Sequence, residues 1–114
     1  MFRFGKSPDK FETILGPHAS FDGQLTCEGS VRIEGEAKGS VTTNGNIIVG
    51  KTANVAAALQ GHDVLVSGRV EGRIVAQGQL AILASGQVHG DVEVGSILIE
   101  EGGVLNGKST IREG

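Results

Sequence analysis

Apolar residues fall at every second position along most of this chain, in short pairs that return at a near-constant interval. The pairs Val31/Ile33, Ile47/Val49, Val64/Val66, Leu80/Ile82 and Ile97/Ile99 begin 16, 17, 16 and 17 residues apart. Each is followed by a Gly- or Ala-containing stretch that opens a second alternating segment. These segments are Ala37-Lys38-Gly39-Ser40-Val41, Val55-Ala56-Ala57-Ala58-Leu59, Val70-Glu71-Gly72-Arg73-Ile74 and Val88-His89-Gly90-Asp91-Val92. Phe21-Asp22-Gly23-Gln24-Leu25 fits one period earlier and Leu105-Asn106-Gly107-Lys108-Ser109 one period later, giving about six copies. A period of two puts side chains on alternate faces of an extended chain, whereas a helical stripe repeats every ~3.6 residues. The apolar set occupies odd positions from Leu15 to Leu59, even positions from Val64 to Val94, and odd positions again from Ile97. An interval of 16 keeps that parity and one of 17 reverses it; both reversals fall in 17-residue intervals.

Hairpins do not produce this pattern. They need turn signals such as Asn-Gly or Asp-Gly roughly every 8–12 residues, and here only Asp22-Gly23, Asn44-Gly45 and Asn106-Gly107 qualify. The spacing predicts a solenoid in which each copy makes one circuit and pairs in parallel with the next, ~4.8 Å along the axis. Inward Val, Ile and Leu then stack into ladders, and Glu, Lys, Arg, Thr and Gln face water. No proline follows Pro17, which agrees with uninterrupted ladder hydrogen bonding. The predicted fold is all-β: a single-domain parallel β-helix of about six triangular coils of 16–17 residues each. Pattern alone leaves handedness open. Left-handed β-helices use hexapeptide repeats, and Val49-Gly50-Lys51-Thr52-Ala53-Asn54-Val55 resembles one only locally, so the right-handed form is favoured.

Composition narrows the function classes. With 19 glycines but only 2 prolines in 114 residues, the chain is not collagen-like. Plentiful aliphatics and a net charge of −3 exclude a disordered chain and argue against nucleic acid as a partner. No apolar run approaches the ~20 residues of a membrane-spanning helix. A lone cysteine, Cys27, allows no internal disulfide and fits a reducing cytoplasm. Charge and aromatics are unevenly spread: residues 1–10 carry Arg3, Lys6 and Lys10 against Asp9, and all 4 phenylalanines lie within the first 21 positions. Residues 1–10 are thus expected to form a flexible basic-aromatic tail, residues 11–111 the β-helix and residues 112–114 a short end.

Several of these motifs carry a family resemblance. Glu28-Gly29-Ser30-Val31-Arg32-Ile33-Glu34-Gly35 followed by Gly39-Ser40-Val41 resembles the opening coil of bactofilins. Val64-Leu65-Val66-Ser67-Gly68-Arg69-Val70-Glu71-Gly72 and Leu98-Ile99-Glu100-Glu101-Gly102 resemble later coils, in the right order. The resemblance covers residues 13–107 and implies a right-handed triangular β-helix in a bacterial cytoskeletal protein. It implies polymerisation without nucleotide into nonpolar filaments at the inner face of the cytoplasmic membrane. Met1-Phe2-Arg3-Phe4-Gly5-Lys6 resembles the short tail by which many members attach to membranes. In two places the chain departs from the family: Leu105 stands where many members have phenylalanine, and no Pro-rich C-terminal tail follows Ile111.

The residues offer little chemistry. His18, His62 and His89 are far apart in sequence, with no adjoining ligand cluster to complete a metal site, and read as surface residues. Cys27 lies on the inward track and reads as a buried packing thiol. The pairs Glu34/Glu36 and Glu100/Glu101 read as solvated carboxylates. Gly102 and Gly107-Lys108-Ser109 have the spacing of a phosphate-binding loop, but they lie within the two-residue alternation of the last copy and no helical pattern follows them. No catalytic residue, cofactor or metal is expected. The alternatives are a left-handed hexapeptide-type transferase or metalloenzyme, and a scaffold module that does not polymerise.

The ends are the more informative places. An open coil leaves unpaired backbone groups over an aliphatic core, and a second copy can cover both. Expected polymerisation residues are Phe11, Ile14, Leu15 and Phe21 at one end and Val104, Leu105 and Ile111 at the other. In the tail, Met1, Phe2 and Phe4 are expected to enter a lipid surface shallowly while Arg3 and Lys6 meet anionic headgroups, at about 1 kcal/mol per basic residue.

Overall fold

The computed structural model describes residues 11–112, which form strands joined by short corners. In chain order the first strands are β1 (Phe11–Leu15), β2 (Ser20–Cys27), β3 (Ser30–Ile33), β4 (Glu36–Thr43) and β5 (Ile47–Val49). They are followed by β6 (Asn54–Gly61), β7 (Val64–Val66), β8 (Arg69–Glu71) and β9 (Ile74–Ile82). The last are β10 (Gln87–His89), β11 (Val92–Ile99), β12 (Val104–Asn106) and β13 (Ser109–Ile111). Every pairing between them is parallel and joins equivalent positions of successive circuits. The protein is a parallel β-solenoid of about six turns.

Three stacked faces enclose the core. On the first, Leu15, Ile33, Val49, Val66, Ile82 and Ile99 stack in one inward ladder. On the second, Phe21, Ala37, Val55, Val70, Val88 and Leu105 do the same. On the third the ladder reads Leu25, Val41, Leu59, Ile74, Val92 and Ser109. The central members of each ladder are buried, so each turn's apolar side chains are covered by those above and below.

Corner length explains the parity reversals. Between the first and second faces the chain takes four residues in two turns (Ile33 to Ala37, Val66 to Val70) and six in the others, as from Val49 to Val55. Returning to the first face takes four residues from Ala76 to Leu80 but three from Gly61 to Val64 and from Val94 to Ile97. A three-residue corner carries the inward set from odd to even numbers, or back. The repeat is accordingly less uniform than the sequence pairs imply: Thr13 to Val31 spans 18 residues, and Val55 to Val70 only 15. Two corners of different length share each circuit, so a pattern followed on one face averages them.

The edge between the second and third faces is a column of close backbone contacts. Gly90 has φ +144, and a Cβ there would stand 2.1 Å from the carbonyl oxygen of Gly72. Glycine therefore serves both the backbone conformation and the turn-to-turn approach.

One inward polar residue joins the core. Thr43 is buried, and its hydroxyl donates to the Gly29 carbonyl and accepts from the Gly45 N–H at 3.1 Å. This keeps a hydroxyl on an aliphatic track at little cost.

Candidate polymerisation surfaces

The two ends of the solenoid expose ladder positions that are sealed elsewhere. At the C-terminal end, Ile99 is 42% exposed, whereas Ile82, one turn earlier in the same ladder, is 0% exposed. Ile111 is 50% exposed where its neighbour Val94 is 0%. Leu105 is half-buried on the inward track of the same layer, stacked on Val88. Ser109–Ile111 is itself a strand, paired with β11, so this segment completes the last coil. At the other end, Leu15, Phe21, Leu25 and Cys27 are half-buried and pack against the core with no further turn beyond them among the described residues.

The expected end residues divide into two groups. Leu15, Phe21, Leu105 and Ile111 lie on inward tracks of the end layers. Ile14 and Val104 face outward: Ile14 pairs with Arg32, and Val104 with Gln87. Phe11 opens β1 opposite Ser30. Met1, Phe2, Arg3, Phe4 and Lys6 lie outside the described residues.

Cys27 is half-buried, not buried, because the first turn has no described neighbour on its outer side. It borders a surface cavity of about 340 Å³ that Thr26, Thr43, Asn44, His62 and Gln77 also line. His18 and His62 are exposed and His89 is half-buried. Among the described residues no three His, Cys, Asp or Glu side chains cluster closely enough to hold a metal ion. No helix among them is long and apolar enough to cross a membrane.

The sides of the solenoid differ from one another. The second and third faces carry ion pairs: Arg69 with Glu71 at 2.5 Å, Arg73 with Glu93 at 2.9 Å and Arg112 with Glu93 at 3.3 Å. The Arg69 guanidinium, by hydrogen bond and by charge, holds the Glu71 carboxyl below its ordinary value. The first face carries such a pair too, Arg32 with Glu34 at 2.6 Å, and with it an outward row of apolar residues that the sequence analysis passed over. Ile48, Leu65, Ala81 and Leu98 follow one another up four turns in strict register. Their signal was available, since each is the middle residue of an apolar triplet whose outer members point inward.

Among the described residues the core is sealed in the middle turns and open at the end layers, and the class the fold defines is the single-domain parallel β-solenoid. Comparison with known proteins gives the family. Residues 13–110 match the family model "Bactofilin: Polymer-forming cytoskeletal", and the chain belongs to the bactofilin family. It is 28% identical over 95 residues to the bactofilin BacO of Myxococcus xanthus, covering 83% of this chain and 75% of that one. It is 27% identical over 96 residues to BacP of the same organism, covering 84% of this chain but only 40% of the longer relative. Its fold matches a cryo-EM reconstruction of Thermus thermophilus bactofilin double helical filaments with a TM-score of 0.80 and 29% identity. That match covers 88% of this chain and 99% of the other.

Proposed function

We propose that this protein is a non-enzymatic cytoskeletal subunit that stacks end to end, without nucleotide, into nonpolar filaments. The observation that carries the reading is the step in exposure from Ile82 to Ile99 and from Val94 to Ile111. A further turn placed on that layer would cover these side chains as the middle turns are covered, and burying a whole Ile side chain contributes about 1.5–3 kcal/mol. Backbone pairing across the contact would also satisfy the unpaired edge of the end coil. Meeting of like ends is isologous and yields a filament without polarity; the family resemblance supports that choice. The double helical filaments of the Thermus relative support a further step, in which two such filaments pair side by side.

Leu105→Arg tests the stacking. It places a charge on the inward track of an end layer, where a neighbour would bury it unpaired. Sedimenting polymer is expected to fall at least tenfold while circular dichroism keeps the β-solenoid signal. Unchanged polymer in electron micrographs would remove Leu105 from the contact.

The filament is further proposed to lie at the inner face of a bacterial cytoplasmic membrane, held by Met1, Phe2, Arg3, Phe4 and Lys6. One short segment binds weakly, and polymerisation multiplies it by avidity. Deleting residues 1–6 should abolish co-sedimentation with anionic vesicles and leave filaments intact. Equal lipid binding by the shortened chain refutes the anchor.

A further inference from the structure

The apolar row on the first face extends beyond the four residues named above. Read turn by turn along the axis, it runs Ile14, Arg32, Ile48, Leu65, Ala81 and Leu98. Ile14 is 60% exposed and Leu98 46%. Ala81 points outward yet is only 1% exposed, because it lies low between the larger Leu65 and Leu98. Arg32 is the charged member, paired within its own chain to Glu34 at 2.6 Å. At ~4.8 Å per turn the row spans the length of the solenoid. A like-end contact whose two-fold axis passes through this face would make it a line along the filament.

The order of residues in this row is complementary to itself when reversed. Consider a second copy laid face to face about a two-fold axis parallel to the strands. The first turn then meets the sixth, the second the fifth and the third the fourth. Ile14 faces Leu98 of the second copy, and Ile48 faces its Leu65. Arg32, the long charged side chain, faces Ala81, the smallest member of the row. The flanking columns obey the same rule. The backbone bonds from Glu34, Gly50, Ser67, Leu83 and Glu100 continue the ladder on one side of the row, and reversal sets Glu34 against Leu83. On the other side it sets Asp63 against Asn46. No two like charges meet in this arrangement. Laying the copies parallel would instead set Arg32 against Arg32, a like-charge contact that disfavours that pairing.

We infer that the first face is the lateral contact between two filaments, and that the subunits facing each other across it run antiparallel, with Arg32 opposite Ala81 of the other copy. This rests on the polymer reading above and specifies the side and direction of pairing. One row on one subunit is small beside the roughly 1,200–2,000 Å² of a stable interface. Pairing should thus be weak between single subunits and strong between polymers, where the row is repeated.

Electron microscopy of the full-length chain tests the inference, with Leu65→Glu compared with wild type and with Lys38→Glu, an outward change on the second face. Wild type and Lys38→Glu are expected to form paired filaments, and Leu65→Glu single filaments of about half the width, with paired ones reduced at least tenfold. Paired Leu65→Glu filaments overturn the inference. Wild-type filaments that are all single overturn it while leaving stacking intact; wild-type chains that never polymerise overturn both. Loss of anionic-vesicle binding by Leu65→Glu with pairing retained also overturns it and makes the row a lipid face.

Direction is tested by disulfide trapping in polymers carrying Cys27→Ser, which does not depend on Leu65→Glu folding. Arg32→Cys chains mixed with Ala81→Cys chains should cross-link as mixed dimers. Dimers formed by Arg32→Cys chains alone, without mixed ones, overturn the antiparallel arrangement.

Discussion

The middle turns and the end turns occupy the same ladder positions, yet their side chains have different surroundings. Ile33, Val49, Val66 and Ile82 are fully buried, while Ile99, the next member of that ladder, is 42% exposed. No difference in residue type accounts for this, since an isoleucine is sealed at one place and open at the other. In a globular core a side chain is covered from all directions by distant parts of the chain. In a solenoid the cover along the axis comes from the adjacent turns, and the last turn lacks one of them. The comparison teaches that an end layer, among the described residues, is an interior open on one side.

The largest expected effect that would break this comparison is in the middle. Ile82→Ala should destabilise dilute, unpolymerised protein by about 2–5 kcal/mol, because it leaves a cavity that neighbouring turns cannot fill. Ile99→Ala, losing a side chain already partly in water, should cost about 1 kcal/mol or less under the same conditions. Equal losses in urea melts would show that the ends are as sealed as the middle. The contrast sharpens if Ile99→Ala weakens the polymer more than it weakens the dilute subunit, which sedimentation against concentration measures.

A smaller effect concerns the charged sides. Glu71 is held below its ordinary value by Arg69. A carboxylate whose folded-state value is depressed adds stability that is present above its unfolded value and lost as pH falls through the folded one. Arg69→Ala should raise the Glu71 titration midpoint towards an ordinary carboxylate's, as read by NMR, with little change in the melting temperature at neutral pH because the pair is exposed. A midpoint that does not move would remove Arg69 as the cause.

Much of the molecule was legible before the structure. The inward ladders follow the alternating residues one for one, and the predicted correspondence of Ala37, Val55, Val70 and Val88 is the observed register. Even the parity reversals trace to physical objects, the three-residue corners after Gly61 and Val94. Less was legible at the candidate site. Ile14 and Val104 are apolar and near the ends, so composition placed them among the contact residues, but their register faces them outward. The outward row was hidden for the opposite reason. Ile48, Leu65, Ala81 and Leu98 sit inside triplets already explained by their inward neighbours, and their alignment emerges only when every corner length is known.

Local sterics and hydrophobic alternation, written in the residues themselves, determined the strand character, the parallel stacking and which side chains turn inward, because each depends on neighbours two positions away or one circuit apart. Only the folded molecule decided how exposed each ladder member is and which outward residues share a line. Those properties depend on how many turns lie beyond a residue and on the summed lengths of the corners between turns, quantities spread over the whole chain and held at no single position.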